Sequence, residues 1–426
     1  MKSIKLVLIL FVMVLYSCNK ETLQTTSKKN NKSKEATKIF NKLTNPKLKS
    51  EGAYFFNGNN EIIVNWTETH KEPNSNLLKM AFFNTKTNRF NNEITIPTSK
   101  GLQLHAESMA KVGKTRNGTL FAFYRRRSKN PASRFGGAMF YSFSNDNGKT
   151  WSEEKKLVTD KTSTSQSFFD IALLSDGEIG IIWLDSRKPI DKDHKGKTLY
   201  FAKTNSNLKV VENEKPIAGS TCECCRTDIF TDSKGVIHIA YRNIIDSKEP
   251  GFTGDDKTEI RDMYYLSSIN NGVDFTKPIP LSKDNWHFYG CPHTGPSLAE
   301  SNGVLGAIWY TGAPENDGIF YIKKEGDTFN NKTLLTKTGY HPQMVADNNG
   351  FYTVYEEYYE NEGKGYNLIQ LEIIKNSKKN KLEITEKFTE NDHPVITKIN
   401  EDLLLIAWVN KNTRIPKIIY RLYHTK

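Results

Sequence analysis

The chain of 426 residues is 37% hydrophobic, 25% charged and 11% aromatic, which suits a folded globule and excludes a collagen-like or wholly disordered chain. The one stretch apolar enough to enter a bilayer, Leu6 to Tyr16, is too short to cross about 30 Å of hydrocarbon as a helix, so a multi-pass helical membrane protein is excluded. The net charge of +12 comes from 48 Lys and 12 Arg, and the Lys are scattered apart from a dense group between Lys20 and Lys49. Scattered Lys describes a solvated surface, so no nucleic-acid partner is expected.

Lys2 and Lys5 precede the apolar run, and Leu15-Tyr16-Ser17-Cys18 closes it. A positive start, a short apolar core and a small residue before the cut describe a secretory signal. The ending resembles the lipobox of bacterial lipoproteins, which implies a signal peptide over 1–17, lipidation of Cys18 and attachment to a membrane. The following Asn19-Lys20-Glu21 resembles a surface-export signal of lipoproteins in Bacteroidetes-like bacteria. The expected location is the bacterial cell envelope, at the outer membrane with surface exposure as an extension. Residues 18–49, rich in Thr, Ser, Asn and Lys, read as a flexible tether.

From residue 50 to 426 no long segment keeps a helical apolar period. A short strand, an Asx-Gly or similar turn and a second strand ending in an aromatic residue recur instead. Examples are Asn117-Gly118 before Leu120 to Tyr124, Asp176-Gly177 before Ile179 to Trp183, and Asn302-Gly303 before Val304 to Trp309. Asn and Gly supply the positive φ angles that two-residue hairpins need. With a third strand and a weaker fourth the period is about fifty residues, the pattern of a β-propeller blade. Units begin near Gly52, His105, Gln166, Cys225, Cys291, His341 and His393. The fold class is therefore all-β, a propeller of six or seven four-stranded blades. The last unit lacks a fourth strand, which residues before Gly52 could supply.

One turn is more specific. Ser144-Asn145-Asp146-Asn147-Gly148-Lys149-Thr150-Trp151 matches the Asp-box pattern, with Ser144, Asp146, Gly148, Thr150 and Trp151 at its defined positions. Ser268 to Phe275 is a degraded copy, and Gly326 to Phe329 a remnant. On these residues the chain resembles the sialidase superfamily of Asp-box (BNR-repeat) propellers. That resemblance implies architecture, because the box is a structural turn.

In a blade the first strand runs away from the mouth and the second returns to it, so the chemistry belongs on the face opposite the Asx-Gly turns. The approaches to first strands carry His105, Arg226, His293, His341 and His393. Loops after second strands carry Arg125, Arg126, Arg127, Arg134, Asp185, Arg187, Arg242, Arg261, Asp262 and Arg414. Nine of the 12 Arg thus fall at the mouth, and their planar forks suit a carboxylate or sulfate. The expected partner is an acidic glycan or sugar. Arg125, Arg187, Arg226, Arg242, Arg261 and His341 are the candidate substrate-binding residues, and His105, Asp185 and Tyr310 the candidate catalytic ones. Sialidases of the superfamily use an Arg triad, a Tyr–Glu nucleophile pair, an Asp acid/base and an Arg-Ile-Pro near the first strand. Here the only Arg-Ile-Pro begins at Arg414, at the other end of the chain.

Cys222-Glu223-Cys224-Cys225-Arg226 and Gly290-Cys291-Pro292-His293 approach adjacent blades. The pair resembles a subgroup of sialidase-like propellers with CxCC-Arg and Gly-Cys-Pro-His motifs, with Arg261-Asp262-Met263 between them. Cys222, Cys224, Cys225, Cys291 and His293 fit inter-blade disulfides, a Zn²⁺ or copper site, or a reactive thiol. Zn or Cu at this cluster is the one cofactor expectation. Three functions remain open: a sialidase-like exo-glycosidase, favoured slightly; a polysaccharide lyase; and a non-catalytic surface binder of acidic glycan or metal.

Overall fold

The computed structural model describes residues 41–128, 136–247, 259–288, 290–376 and 378–425. They form seven antiparallel sheets arranged as the blades of a propeller and a small two-stranded sheet of Ile245–Asp246 and Glu259–Ile260, with a single short 3₁₀ turn at Pro97–Ser99 as the only helix among them. The innermost strands, in order from blade 1 to blade 7, are Lys49–Gly58, Lys111–Lys114, Gln166–Leu173, Asp228–Thr231, Ser297–Ser301, Gly339–Asp347 and Asn391–Asn400. The count is seven, the upper of the two expected.

Each second strand lies between neighbouring blades and is covered on both faces. That is why Ile179–Asp185 is buried along its whole length and reads as a nearly continuous apolar run. Four second strands place a fully buried Trp there: Trp66, Trp183, Trp309 and Trp408. Three of these indoles donate to a side-chain oxygen, Trp183 to Asp185 (3.0 Å), Trp309 to Asp284 (2.8 Å) and Trp408 to Asn391 (2.9 Å). Such a partner offsets the cost of burying an indole N–H, which the Trp66 indole bears without one.

Ring closure uses both ends of the propeller sequence. Asn41–Lys42 pairs with Lys417–His424 as the outermost strand of blade 7, Asn41 opposite Tyr420. The sheet therefore begins at Asn41, inside the stretch expected to be tether. Cys18 and the rest of the leader lie outside the described residues, as does Arg134.

The underside carries the turns. Ser144 Oγ donates to Asp146 and accepts from the Gly148 amide (2.9 Å), Asp146 accepts the Thr150 amide (2.9 Å), and the Trp151 indole donates to the Gly148 carbonyl (3.1 Å). Gly148 has φ +86°, which L side chains rarely adopt. The turn at Ser268 repeats this arrangement, with Asn270 accepting the Asp274 amide (2.9 Å) and Ser268 the Gly272 amide (2.9 Å). Asn for Asp preserves the acceptor.

Candidate active site

A recurrent distortion shapes the mouth. The pairing of first and second strands breaks register between Glu51 and Tyr54, Ser167 and Asp170, Tyr340 and Gln343, and Asp392 and Val395. Within each break one residue takes a left-handed backbone: Gly52, Phe168, His341 and His393 (φ +68°, +48°, +49° and +46°). His293, just before the blade 5 strand, has φ +51°. A bulge re-aims its side chain, and holding a bulky residue there costs about 1–3 kcal/mol. Three of these positions are His.

A cavity of about 720 Å³ opens between blades 2, 3 and 4. That volume lies within the roughly 300–1,000 Å³ of small-molecule sites. Its wall includes His105, Arg125, Arg127, Lys197, Cys291 and His293, with Phe168 as the apolar floor. The His105 ring meets Phe168 edge-on at 5.3 Å and lies 5.5 Å from the His293 ring. Burial lowers the His105 pKa from its ordinary 6.5, and charge on His293 lowers it further, so His105 is neutral at pH 7. Lys197 Nζ donates to Ser165 (3.0 Å) and Ser167 (2.8 Å); burial, then Arg125, bring its pKa down to about 8. Arg125 donates through Nε to the Gln166 carbonyl (2.6 Å) and bonds Gln103. The one carboxylate on the described wall, Glu223, is exposed.

Beside this cavity, on the propeller axis, lies a second polar group. His341 Nδ1 meets Glu356 Oε1 at 2.8 Å, the other Glu356 oxygen accepts the His393 amide (2.7 Å), and His393 bonds Asp392. The two imidazoles stack 4.1 Å apart, tilted 21°. Arg226 Nη1 stands 3.5 Å from Glu107 Oε1 and Nη2 donates to the Pro342 carbonyl (2.9 Å). Arg226 and three His together outweigh burial and hold the Glu107 pKa low.

Among the described residues Cys222, Cys224, Cys225 and Cys291 are all free, in place of the expected inter-blade disulfides. Cys222 Sγ lies 3.3 Å from Cys225 Sγ and 3.8 Å from Cys224 Sγ, well beyond the roughly 2.05 Å of an S–S bond. Hydrogen bonds from Cys224 and Cys225, with Arg261 Nη1 at 3.0 Å, push the Cys222 thiol far down, while burial pushes Cys225 up to about 12. The three sulfurs are mutually within 4.8 Å, a set that includes neither Cys291 nor His293. Cys224, Cys291 and His293 do line one cavity.

The arginines do not converge. Arg187 is clamped by Asp185 and by Glu214 (2.6 Å) and lies over Tyr200 at 4.1 Å. Arg242, 1% exposed, donates to the carbonyls of Arg261 and Tyr310 (both 2.8 Å) and stacks on Trp286 at 4.8 Å. Arg261 is divided between Glu259 (2.6 Å), the Phe288 carbonyl and Cys222. Of the six candidate binding residues, Arg125 alone lines the cavity; Arg226 and His341 face the axis.

The catalytic trio separates as well. Asp185 is fully buried and spent on Ser163, Trp183 and Arg187. Tyr310 hydrogen-bonds Tyr340 (2.9 Å) under a 4.5 Å stack, away from the cavity wall. Only His105 stays in place. Lys197, Glu107, Glu356 and Asp392 were missed, since one Lys of 48 and carboxylates in ordinary strand contexts carry no local signal.

The polysaccharide lyase Uly1 superposes with a TM-score of 0.54 at 12% identity, covering 88% of this chain and 90% of its own. What the two share is the β-propeller fold. A protein of unknown function from Dyadobacter fermentans DSM 18053 matches with a TM-score of 0.50 at 15% identity, over 76% of this chain and 97% of that one. An intramolecular trans-sialidase from Ruminococcus gnavus gives 0.47 at 8% identity, over 88% and 94%. Such low identities establish the fold alone. No protein-family model matches the sequence, and neither does any curated protein.

Proposed function

We propose that this chain is an enzyme acting on acidic glycans and that it cleaves them by β-elimination. The observation that carries this reading is the cavity wall, which presents His105, His293, Arg125, Arg127 and Lys197 against a single exposed carboxylate, Glu223. Glycoside hydrolysis uses a carboxylate pair or, in sialidases, a Tyr nucleophile. The described wall offers neither, so the exo-glycosidase reading becomes the second one. Elimination from a uronate needs its carboxylate neutralised, a base for the C5 proton and an acid for the departing O4. Arg125 and Lys197 supply positive charge to the carboxylate. Neutral His105 accepts the C5 proton as the C4–O4 bond breaks, and His293 across the gap is placed to protonate O4. His105 takes the base role and His293 the acid role, the division of labour that acid–base catalysis requires.

The test is incubation with uronate-containing polysaccharides. Ultraviolet absorbance of unsaturated ends supports elimination. New reducing ends without that absorbance indicate a hydrolase, and retention of polymer without cleavage a binder. His105→Ala should lower elimination by roughly 10²–10⁴-fold.

Two further expectations belong to the same proposal. The three clustered thiols suit a soft ion, Zn²⁺ or Cu⁺, stapling the cavity wall, which elemental analysis with thiol counting would check. Lipidation at Cys18 would hold the enzyme at the cell envelope. Cys18→Ser should then abolish lipid labelling, and unchanged labelling would refute the anchor.

A further inference from the structure

The axial cluster is not used by the elimination chemistry, and its composition is unlike that of an ordinary ion-pair network. We propose that His341, Glu356, Asp392 and His393 form a binding site for one divalent first-row transition ion, with Glu107 as a further oxygen behind it. This is separate from the thiol set, which lies on blade 4, and does not depend on the elimination reading.

Three observations carry it. The first is geometric: ligand atoms of these four residues all lie within 4.8 Å of one another. Donors on opposite sides of an ion at about 2.1 Å stand about 4.2 Å apart, so only a small contraction separates the present arrangement from a coordinated one. The second is an unanswered polar atom. Glu107 is 2% exposed, yet its Oε2 has no hydrogen-bond partner. Glu107 lines a cavity of about 10 Å³ together with Arg226, His341 and His393, a space on the scale of a single water or ion. A buried carboxylate oxygen left without a donor is costly, and a cation supplies what it lacks. The third is backbone strain. His341 and His393 both hold left-handed φ angles at equivalent bulges of adjacent blades, which brings their rings to the same point.

Charge agrees with this assignment. Glu107, Glu356 and Asp392 face two fixed cations, Arg226 on Glu107 and Lys411 on Asp392, so the carboxylates outnumber the fixed cations by one. The His393 amide on Glu356 and the Lys411 ammonium on Asp392 would act as outer contacts that orient the ligating oxygens. Two imidazoles with two or three carboxylates favour Mn²⁺, Fe²⁺, Co²⁺ or Zn²⁺ over Ca²⁺, which prefers oxygen alone, and over Cu⁺, which prefers sulfur.

Co²⁺ is the probe, because its spectrum reports ligand type. The full chain, stripped with chelator, is titrated with Co²⁺ under anaerobic conditions and followed by absorbance and equilibrium dialysis. The expected result is one equivalent giving visible d–d bands without a near-ultraviolet thiolate charge-transfer band, whatever the thiols bind in addition. His341→Ala/His393→Ala should lose that equivalent and leave any thiolate band unchanged. Glu356→Gln, which preserves volume and so guards against misfolding, should weaken the same equivalent at least tenfold with the circular dichroism unaltered. If all Co²⁺ bound by the parent shows thiolate bands, if none binds, or if the well-folded Glu356→Gln protein binds as tightly as the parent, the proposal is wrong.

Discussion

Arg242→Lys separates a structural arginine from a ligand-binding one. The guanidinium is 1% exposed, makes 2.8 Å bonds to the Arg261 and Tyr310 carbonyls and lies on the Trp286 ring at 4.8 Å. A Lys ammonium keeps the charge but lacks the planar fork, so it cannot serve both carbonyls from one position while stacking on the indole. A buried carbonyl left without a donor costs about 1–3 kcal/mol, and weakening the stacking adds up to about 2 kcal/mol. The loss is thus about 1–5 kcal/mol. With an unfolding entropy of about 2.1 cal/mol/K per residue, a propeller of roughly 385 residues loses about 0.8 kcal/mol for each kelvin, and Tm should fall by about 1–6 °C. Thermal unfolding by near-ultraviolet circular dichroism measures this, with product release from acidic polysaccharide assayed on the folded fraction. Activity per folded molecule should stay at the parental level. Unchanged melting with lost activity would mean that Arg242 grips the substrate and that its hydrogen-bond partners have been misjudged.

Three other outcomes are expected. The elimination rate should follow a bell-shaped pH curve: neutral His105 is lost as pH falls through its lowered pKa, which places the acid limb below 6.5, and protonated Lys197 is lost as pH rises through about 8. An alkaline limb near the ordinary lysine value would remove Lys197 from the mechanism. Trp309→Phe deletes the 2.8 Å bond to Asp284 and should cost about 1.5–3 kcal/mol in denaturant unfolding, since the acceptor is charged. Deleting residues 41–44 removes the outer strand of blade 7, including the 3.1 Å bond from the Leu43 amide to Ile418, so melting should drop and proteolysis at Lys417–His424 should speed up; an equally stable ring would show that closure does not need this strand.

The sequence by itself determined what local chemistry controls. Asx-Gly turns announce hairpins because few residues accept a left-handed backbone, and alternation between such turns and apolar runs ending in Trp or Tyr announces blades. The Ser144–Trp151 turn was legible for the same reason, since its donors and acceptors all lie within eight residues. Even the sorting of loops between the two faces followed, because antiparallel strands of known order must alternate in direction. Tertiary structure alone decided which mouth residues are available to a ligand. An Arg at a loop is the same letter whether it meets substrate or is consumed by carbonyls from three segments, as Arg242 is. Lys197 is one of 48 Lys until folding buries it beside Arg125, and Glu107 gains meaning only when blades 2, 6 and 7 bring it to His341 and His393. Partners more than a hundred residues apart, such as Arg226 and Glu107, are set by blade packing, and no local pattern encodes that.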